Sequence, residues 1–174
     1  MKYIATFILL FSLSNISIAQ SDSTWKFKRK NNINFELLGS GVLYSINYER
    51  LVYQSKYFKS NVATGFSYAP YRFFSNQSDI QFLVNYNQFI SFSKNNHADI
   101  GIGIKLINDF KQSNPEIITQ PIFHVGFRHQ KLNRRFFYKI LIAGTITKME
   151  LMILPSEPFY QPSFFPCIGL GYAF

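Results

Sequence analysis

Apolar side chains recur at every second position through most of the chain, with polar or small side chains between them. The clearest case spans residues 98–106, where one face is apolar and the other carries Asp99, Gly101, Gly103 and Lys105. Successive side chains of a β-strand point to opposite faces, whereas a helix repeats every 3.6 residues. The pattern therefore predicts strands, each with one apolar face.

The alternation recurs in about eight segments separated by turn residues, an even number typical of bacterial outer-membrane barrels. The predicted strands span residues 32–38, 42–52, 59–68, 79–89, 98–106, 117–129, 135–147 and 162–174. Apart from a tight first turn, short turns alternate with long polar connections over residues 69–78, 108–116 and 148–161, which we expect to face outside. We therefore predict an all-β fold, an eight-stranded antiparallel up-and-down transmembrane β-barrel over residues 32–174.

The last predicted strand carries the strongest membrane signal. Ile168, Leu170, Tyr172 and Phe174 form an apolar row, and the residues between them are all small. In a membrane barrel the bulky row faces lipid and the small row faces a crowded interior. The segment also resembles the C-terminal signature of bacterial outer-membrane proteins. That resemblance implies that Leu170, Tyr172 and Phe174 form a signal read by the barrel-insertion machinery.

A soluble secreted β-sandwich is the alternative fold, because its strands also have one apolar and one polar face. Aromatic residues make up 18% of the chain, with 20 Phe and 11 Tyr. Several tyrosines, among them Tyr44, Tyr57 and Tyr68, fall near predicted strand ends, where the aromatic girdles of membrane proteins lie. This distribution favours the barrel.

The N-terminus predicts export from the cytoplasm. Lys2 is followed by an apolar run over residues 3–13, and residues 17–19 form a small-x-small cleavage site. These features are typical of a secretory signal peptide, here residues 1–19. No cysteine lies near the predicted cleavage site, which argues against a lipoprotein. We expect a protein of the bacterial outer membrane, with residues 20–31 as a basic periplasmic leader.

The chain is strongly basic, with a formal net charge of +9. Such a charge often indicates nucleic acid as a partner, but export argues against it. Anionic lipid head groups and lipopolysaccharide phosphates are the more natural counterparts in the outer membrane. The densest cluster, Lys26, Lys28, Arg29 and Lys30, lies in the leader, which we expect to be solvated and flexible.

Charged side chains are also predicted on the inward face of the strands. They are Glu36, Glu49, Asp99, Lys105, His124, Arg128 and Lys139. An eight-stranded barrel is just wide enough to be filled by its own side chains. Opposite charges in that interior must pair, because an unpaired buried charge is costly. We therefore predict an interior charge network without an open pore.

The histidines do not predict catalysis. Outer-membrane lipid hydrolases use a serine, a histidine and an acid in contact. We expect His97 in a turn, His124 inward, and His129 at the periplasmic end of its strand, and none lies in a His-x-Ser pattern. His124 and His129 are five residues apart, so they point to opposite faces of a strand and cannot share a metal. We predict no catalytic residue, metal site or cofactor, and we interpret Cys167 as a packed small residue.

Four segments resemble a known family. They are residues 36–50 (ELLGSGVLYSINYER), 101–103 (GIG), 125–128 (VGFR) and 169–174 (GLGYAF). The first is fairly distinctive, and the others are general barrel patterns. Together they resemble the small outer-membrane β-barrel proteins of the Bacteroidota. The resemblance implies fold and location, since most members have no assigned activity.

The sequence favours a structural or surface-interaction role without catalysis. The predicted outer loops contain Phe73, Phe74 and Met152, which we interpret as possible contact sites for a partner protein whose identity is left open. One alternative is transport of small hydrophobic compounds through a lateral opening in the barrel wall. A less favoured alternative is an outer-membrane lipid-modifying enzyme. The large, charged inward residues favour a filled barrel over a transporter.

Overall fold

Eight antiparallel strands form a closed barrel in which neighbours in sequence pair and β1 pairs with β8. The computed structural model describes residues 25–41, 43–69, 79–109, 117–149 and 159–174. The strands are β1 (Asn31–Leu38), β2 (Tyr44–Gln54), β3 (Phe58–Ala69), β4 (Asp79–Ser91), β5 (Asn96–Asp109), β6 (Ile117–Gln130), β7 (Phe136–Met149) and β8 (Phe159–Ala173). A 3-10 turn, Gly39–Gly41, follows β1. The predicted eight-stranded antiparallel up-and-down barrel is confirmed.

The outer surface of the barrel is apolar and its interior is polar. Ile102 and Leu170 are each 65% exposed, whereas Asn34, Glu49 and Asp99 are almost completely buried. A sandwich would bury its apolar strand faces between two sheets, so the sandwich alternative is wrong. The alternation of side chains along each strand produces this arrangement directly, because closure of the sheet turns one face of every strand inward.

Several strands are longer than the side-chain pattern predicts. β5 extends to Asp109, β7 extends to Met149, and β8 begins at Phe159, so parts of the predicted loops are strand. Backbone pairing holds these ends together, as in the pair Met149–Phe159, although the alternation has faded there. By contrast, β2 begins at Tyr44, later than predicted, because the 3-10 turn intervenes.

The two ends of the barrel differ in their connections. Asn31, Phe174 and the short connections over residues 55–57, 92–95 and 131–135 lie at one end, here called the turn end. The other end, the loop end, carries the 3-10 turn and the connections that fall outside the described residues. The predicted contact residues Phe73, Phe74 and Met152 belong to those connections. Among the described residues, no helix is long and apolar enough to cross a membrane.

Inward glycines make room for large interior side chains on the neighbouring strand. Lys139 pairs with Gly169 and Phe137 pairs with Gly171 across the β7–β8 ladder. A Cβ atom on Gly169 would lie 2.7 Å from the Lys139 side chain, and one on Gly171 would lie 2.1 Å from the Phe137 ring. The register of β8 against β7 therefore decides which large side chains the narrow lumen can hold.

Candidate functional site

Glu49 is the centre of the interior charge network. Its carboxylate is fully buried and lies 2.7 Å from Arg128 Nη1 and 3.1 Å from Lys139 Nζ. The side-chain amides of Asn34 and Asn61 donate to its two oxygens at 2.7 and 3.0 Å. These partners come from four strands besides that of Glu49, so one carboxylate connects five of the eight strands across the lumen. Each oxygen accepts from one cation and one amide, which compensates the cost of burying the charge.

Arg128 forms a layer that closes the lumen beside Glu49. Its guanidinium lies 3.9 Å from the ring centre of Phe137 and 4.6 Å from that of Phe89. Its Nε donates to Gln130 Oε1 at 2.8 Å. Arg128 is completely buried, and both aromatic side chains are almost completely buried. A desolvated cation stacked between two rings is strongly stabilised, so this side chain is held in one position.

Lys139 connects Glu49 to a second carboxylate nearer the loop end. Its Nζ lies 2.5 Å from Glu36 Oε1, and the Glu36 side chain is 12% exposed. The hydroxyl of Ser45 also donates to Glu36, at 3.4 Å. The thiol of Cys167 lies 3.7 Å from the same carboxylate and is buried. Glu36, Lys139, Glu49 and Arg128 thus form one continuous chain of opposite charges.

Asp99 and His124 form a second buried pair. His124 Nε2 lies 3.3 Å from Asp99 Oδ1, whereas Asp99 Oδ2 has no hydrogen-bond partner in the described part of the chain. Lys105, also predicted inward, is 3% exposed. All seven residues predicted for the interior network are therefore buried. Six of them form the ion pairs around Glu49 and Asp99, namely Glu36, Glu49, Asp99, His124, Arg128 and Lys139.

The lumen is closed at the turn end by Phe27, a residue of the leader. Phe27 is 5% exposed, and its ring lies 5.2 Å from both the Lys59 ammonium and the His97 ring. Its backbone N–H donates to Gln54 Oε1 at 2.9 Å. In the part of the leader that the structure describes, Lys26, Lys28 and Lys30 are exposed, as expected for a solvated segment. The expectation is wrong at Phe27, because this side chain is buried in the barrel mouth. An apolar ring is more stable in the barrel mouth than in water.

His97 is also placed differently from the prediction. It lies in β5 and is completely buried, instead of lying in a turn. Its Nδ1 is 2.8 Å from Ser91 Oγ, and its Nε2 is 3.3 Å from the backbone carbonyl of Gln130. Lys59 donates to the same serine hydroxyl at 2.6 Å. The β4–β5 ladder extends to His97, which turns the side chain into the barrel.

The 3-10 turn folds into the barrel near the loop end. Gly41 accepts a hydrogen bond from Ser67 Oγ at 2.7 Å, and Gly39 adopts a φ of +81°. A Cβ atom on Gly39 would lie 2.8 Å from Cys167, so both the backbone conformation and the close approach require glycine. The cavity between this turn and the charge network has a volume of about 10 Å³. That volume holds at most about one water molecule.

The arrangement offers little for hydrolysis. Ser91 and His97 are in contact, but a backbone carbonyl rather than a carboxylate orients the imidazole, and both side chains lie behind Phe27. His124 has an acid partner in Asp99, but no serine is hydrogen-bonded to it in the described residues. A hydrolase of this type requires a nucleophile hydrogen-bonded to a base, an acid hydrogen-bonded to that base, and access of the substrate to the nucleophile. The described residues also contain no group of three or more side chains suited to a metal ion.

The side-chain alternation also indicates two interior residues, Phe89 and Phe27, that were not predicted to lie in the lumen. Phe89 has the same parity as the inward residues Asn85 and Asn87, which places it in the lumen. Phe27 and Trp25 alternate with lysines just before β1, so the alternation begins before the first predicted strand.

The C-terminal residues predicted as the insertion signal lie on the outer surface at the turn end. Their exposed fractions are 65% for Leu170 and 49% for Phe174.

The fold and interior define a closed eight-stranded barrel with an apolar exterior and a lumen filled by side chains. The N-terminal β-barrel domain of Pseudomonas aeruginosa OprF has the same fold, with a TM-score of 0.52 and 11% identity over 84% of this chain and 100% of that one. Ail, the attachment invasion locus protein of Yersinia pestis, gives a TM-score of 0.45 at 11% identity, over 86% of this chain and 99% of that one. No protein-family model and no curated protein matches the sequence.

Proposed function

We propose that this protein spans the bacterial outer membrane as a closed barrel with a structural or surface-interaction role and no catalytic activity. One observation carries the proposal: an apolar outer surface surrounds a polar interior that is filled by its own ion pairs. Ile102, Ile140 and Leu170 are each more than half exposed, which would be unfavourable in water. A bilayer removes that cost, because lipid covers the apolar face while closure of the sheet pairs β1 with β8.

The test is membrane fractionation combined with a heat-modifiability assay. The full-length protein is expressed with its N-terminal segment, outer membranes are isolated, and gel mobility in detergent is compared before and after boiling. We expect an outer-membrane band that migrates faster without boiling, because the closed sheet resists detergent. A soluble periplasmic band with unchanged mobility would contradict the proposal.

Closure of the lumen has a separate test in planar lipid bilayers. The wild-type barrel is expected to give no stable conductance steps, because Arg128 and Phe27 obstruct the lumen. A Phe27→Ala/Arg128→Ala double variant, shown to be folded by its gel mobility, serves as the opened control. Stable conductance of the wild type at the level of this variant would contradict a closed barrel.

Origin and biogenesis are part of the same proposal. We place the protein among the small outer-membrane barrels of the Bacteroidota, exported by a signal peptide over residues 1–19 and followed by a leader to residue 31. Leu170, Tyr172 and Phe174 serve as the signal for the barrel-insertion machinery. Outer-membrane lipid and lipopolysaccharide are the proposed partners, supported by the basic charge of the chain. Loss of membrane insertion on Phe174→Ser, with secretion intact, is the expected result.

A second candidate function is passage of small hydrophobic compounds through the barrel wall. It rests on incomplete pairing near the loop end. β6 pairs with β7 only as far as Ile122 and Thr145, and β8 pairs with β1 only as far as Cys167 and Leu38. Beyond these pairs, β7 and β8 continue together as a two-stranded ribbon, and neither of its outer edges pairs with another strand among the described residues. Unpaired edges in the wall are a feature that lateral passage would require.

A disulfide across one of these edges tests the second function. Cysteines at Pro121 and Ile146, the first positions beyond the last β6–β7 pair, are introduced in a Cys167→Ala background. Uptake of a hydrophobic dye into proteoliposomes is then compared with and without reductant. Lateral passage predicts uptake that is lost on oxidation and recovered on reduction. Equal uptake in both states, or none above protein-free vesicles, would contradict it.

A further inference from the structure

A strongly basic cleft of about 620 Å³ lies at the turn end, between the leader and the β6–β7 connection. Its lining includes four cationic side chains and no acidic one: Arg29, Lys131, Arg134 and Arg135. The leader is fixed to the connection here, because Arg29 Nη1 donates to the backbone carbonyl of Asn133 at 3.0 Å. None of the four cations takes part in an ion pair among the described residues. Such a concentration of like charge attracts anions.

An apolar groove of about 450 Å³ lies on the outer surface next to this cleft. Phe136 lines both, and Arg135 donates to the hydroxyl of Tyr172 at the edge of the groove. Two cross-strand rows form its walls, one of Phe136, Tyr172 and Ile33, and one of Tyr138, Leu170 and Phe35. The second row lies two residues further from the turn end, and each row has two aromatic side chains and one aliphatic side chain. The surface therefore changes from cationic to apolar along the barrel.

We propose that the cleft and groove together bind one anionic glycerophospholipid, of the phosphatidylglycerol or cardiolipin class, in the leaflet at the turn end. The phosphate lies among the four cations and an acyl chain lies in the groove. The order of surface chemistry matches that of a lipid, in which the charged head group adjoins the hydrocarbon. This inference rests on the proposed membrane-spanning barrel. Because short turns face the periplasm in such barrels, the lipid belongs to the inner leaflet and is not lipopolysaccharide.

The experiment measures lipid binding to the full mature protein by native mass spectrometry. Protein folded in a neutral detergent, with folding verified by gel mobility, is titrated with phosphatidylglycerol or with phosphatidylcholine of the same acyl chains. Lys131→Gln/Arg134→Gln is compared with Lys56→Gln/Lys94→Gln, which removes two lysine charges from other turns at the same end. We expect one preferred phosphatidylglycerol, bound roughly 30-fold more weakly by the cleft variant, from about 1 kcal/mol per basic residue. The control variant is expected to bind like the wild type.

A third variant and a competitor separate the lipid from a free anion. Phe136→Ala truncates a side chain that is 76% exposed, so the barrel remains folded while the groove loses its shared wall. We expect it to weaken phosphatidylglycerol binding, and glycerol phosphate to compete poorly. Equal binding of the two lipids, equal loss in both double variants, or full competition by glycerol phosphate would overturn the inference. These outcomes concern a folded barrel, so they are distinct from the failure of the proposed function, which is the absence of a heat-modifiable membrane band.

Discussion

Replacing Glu49 with glutamine removes the one carboxylate that forms ion pairs with both Arg128 and Lys139. Arg128 then has no acidic partner in the described interior, whereas Lys139 keeps Glu36 at 2.5 Å. The new side-chain amide also presents an NH₂ group where the carboxylate accepts from Asn34 on one oxygen and Asn61 on the other. One of these donors therefore faces another donor. Both effects act in a dry interior, where neither water nor a mobile side chain can compensate.

The expected loss in free energy of unfolding is about 3–5 kcal/mol, the usual effect of removing one partner from a buried ion pair. The free energy of unfolding falls by about 1–3 kcal/mol per molar urea, so this loss lowers the urea concentration at the unfolding midpoint by roughly 2 M. The assay is urea unfolding from lipid vesicles, with the folded fraction read from the fast-migrating unboiled band. The wild type and variant are compared in the same lipid.

Two variants act as controls for Glu49→Gln. Glu36→Gln should cost less than half as much, because Lys139 keeps Glu49 and the Glu36 side chain is partly exposed. Adding Arg128→Met to Glu49→Gln should recover part of the loss, since it removes the unpaired cation and leaves an apolar side chain between two rings. A loss below about 1 kcal/mol for Glu49→Gln would refute the assigned role of the ion pair. A double variant less stable than the sum of its parts would refute it as well.

Three further predictions concern the ends and packing of the lumen. Phe27→Ala should make the leader more sensitive to trypsin than in the wild type, while the barrel band stays intact; unchanged cleavage would show that Phe27 does not hold the leader. Gly171→Ala should destabilise the barrel by about 1–3 kcal/mol because the new methyl group meets the Phe137 ring, and Ala173→Gly at the next inward position is the comparison in urea unfolding. Cys167 should react with a maleimide only after unfolding, since its thiol is buried, and rapid labelling of the unboiled form would disprove its burial.

The side-chain alternation alone determined much of this fold. Because a strand places successive residues on opposite faces, the sequence assigns Glu49, Lys139 and Arg128 inward and Leu170 outward without any knowledge of strand neighbours. The narrow lumen of an eight-stranded barrel then requires inward charges to be paired. Strand ends at the loop end were predicted less well, because backbone pairing continues there after the alternation fades.

Only the tertiary structure decided which groups meet. Glu49 and Arg128 are 79 residues apart, and their contact depends on the register of every strand pair between them and on the closing β1–β8 ladder. A shift of that register by two residues would keep every side chain on its face and yet place Gly169 and Gly171 opposite different partners. Phe27 likewise enters the lumen only once the closed barrel has formed a mouth. Local periodicity specifies faces, whereas closure of the sheet specifies partners.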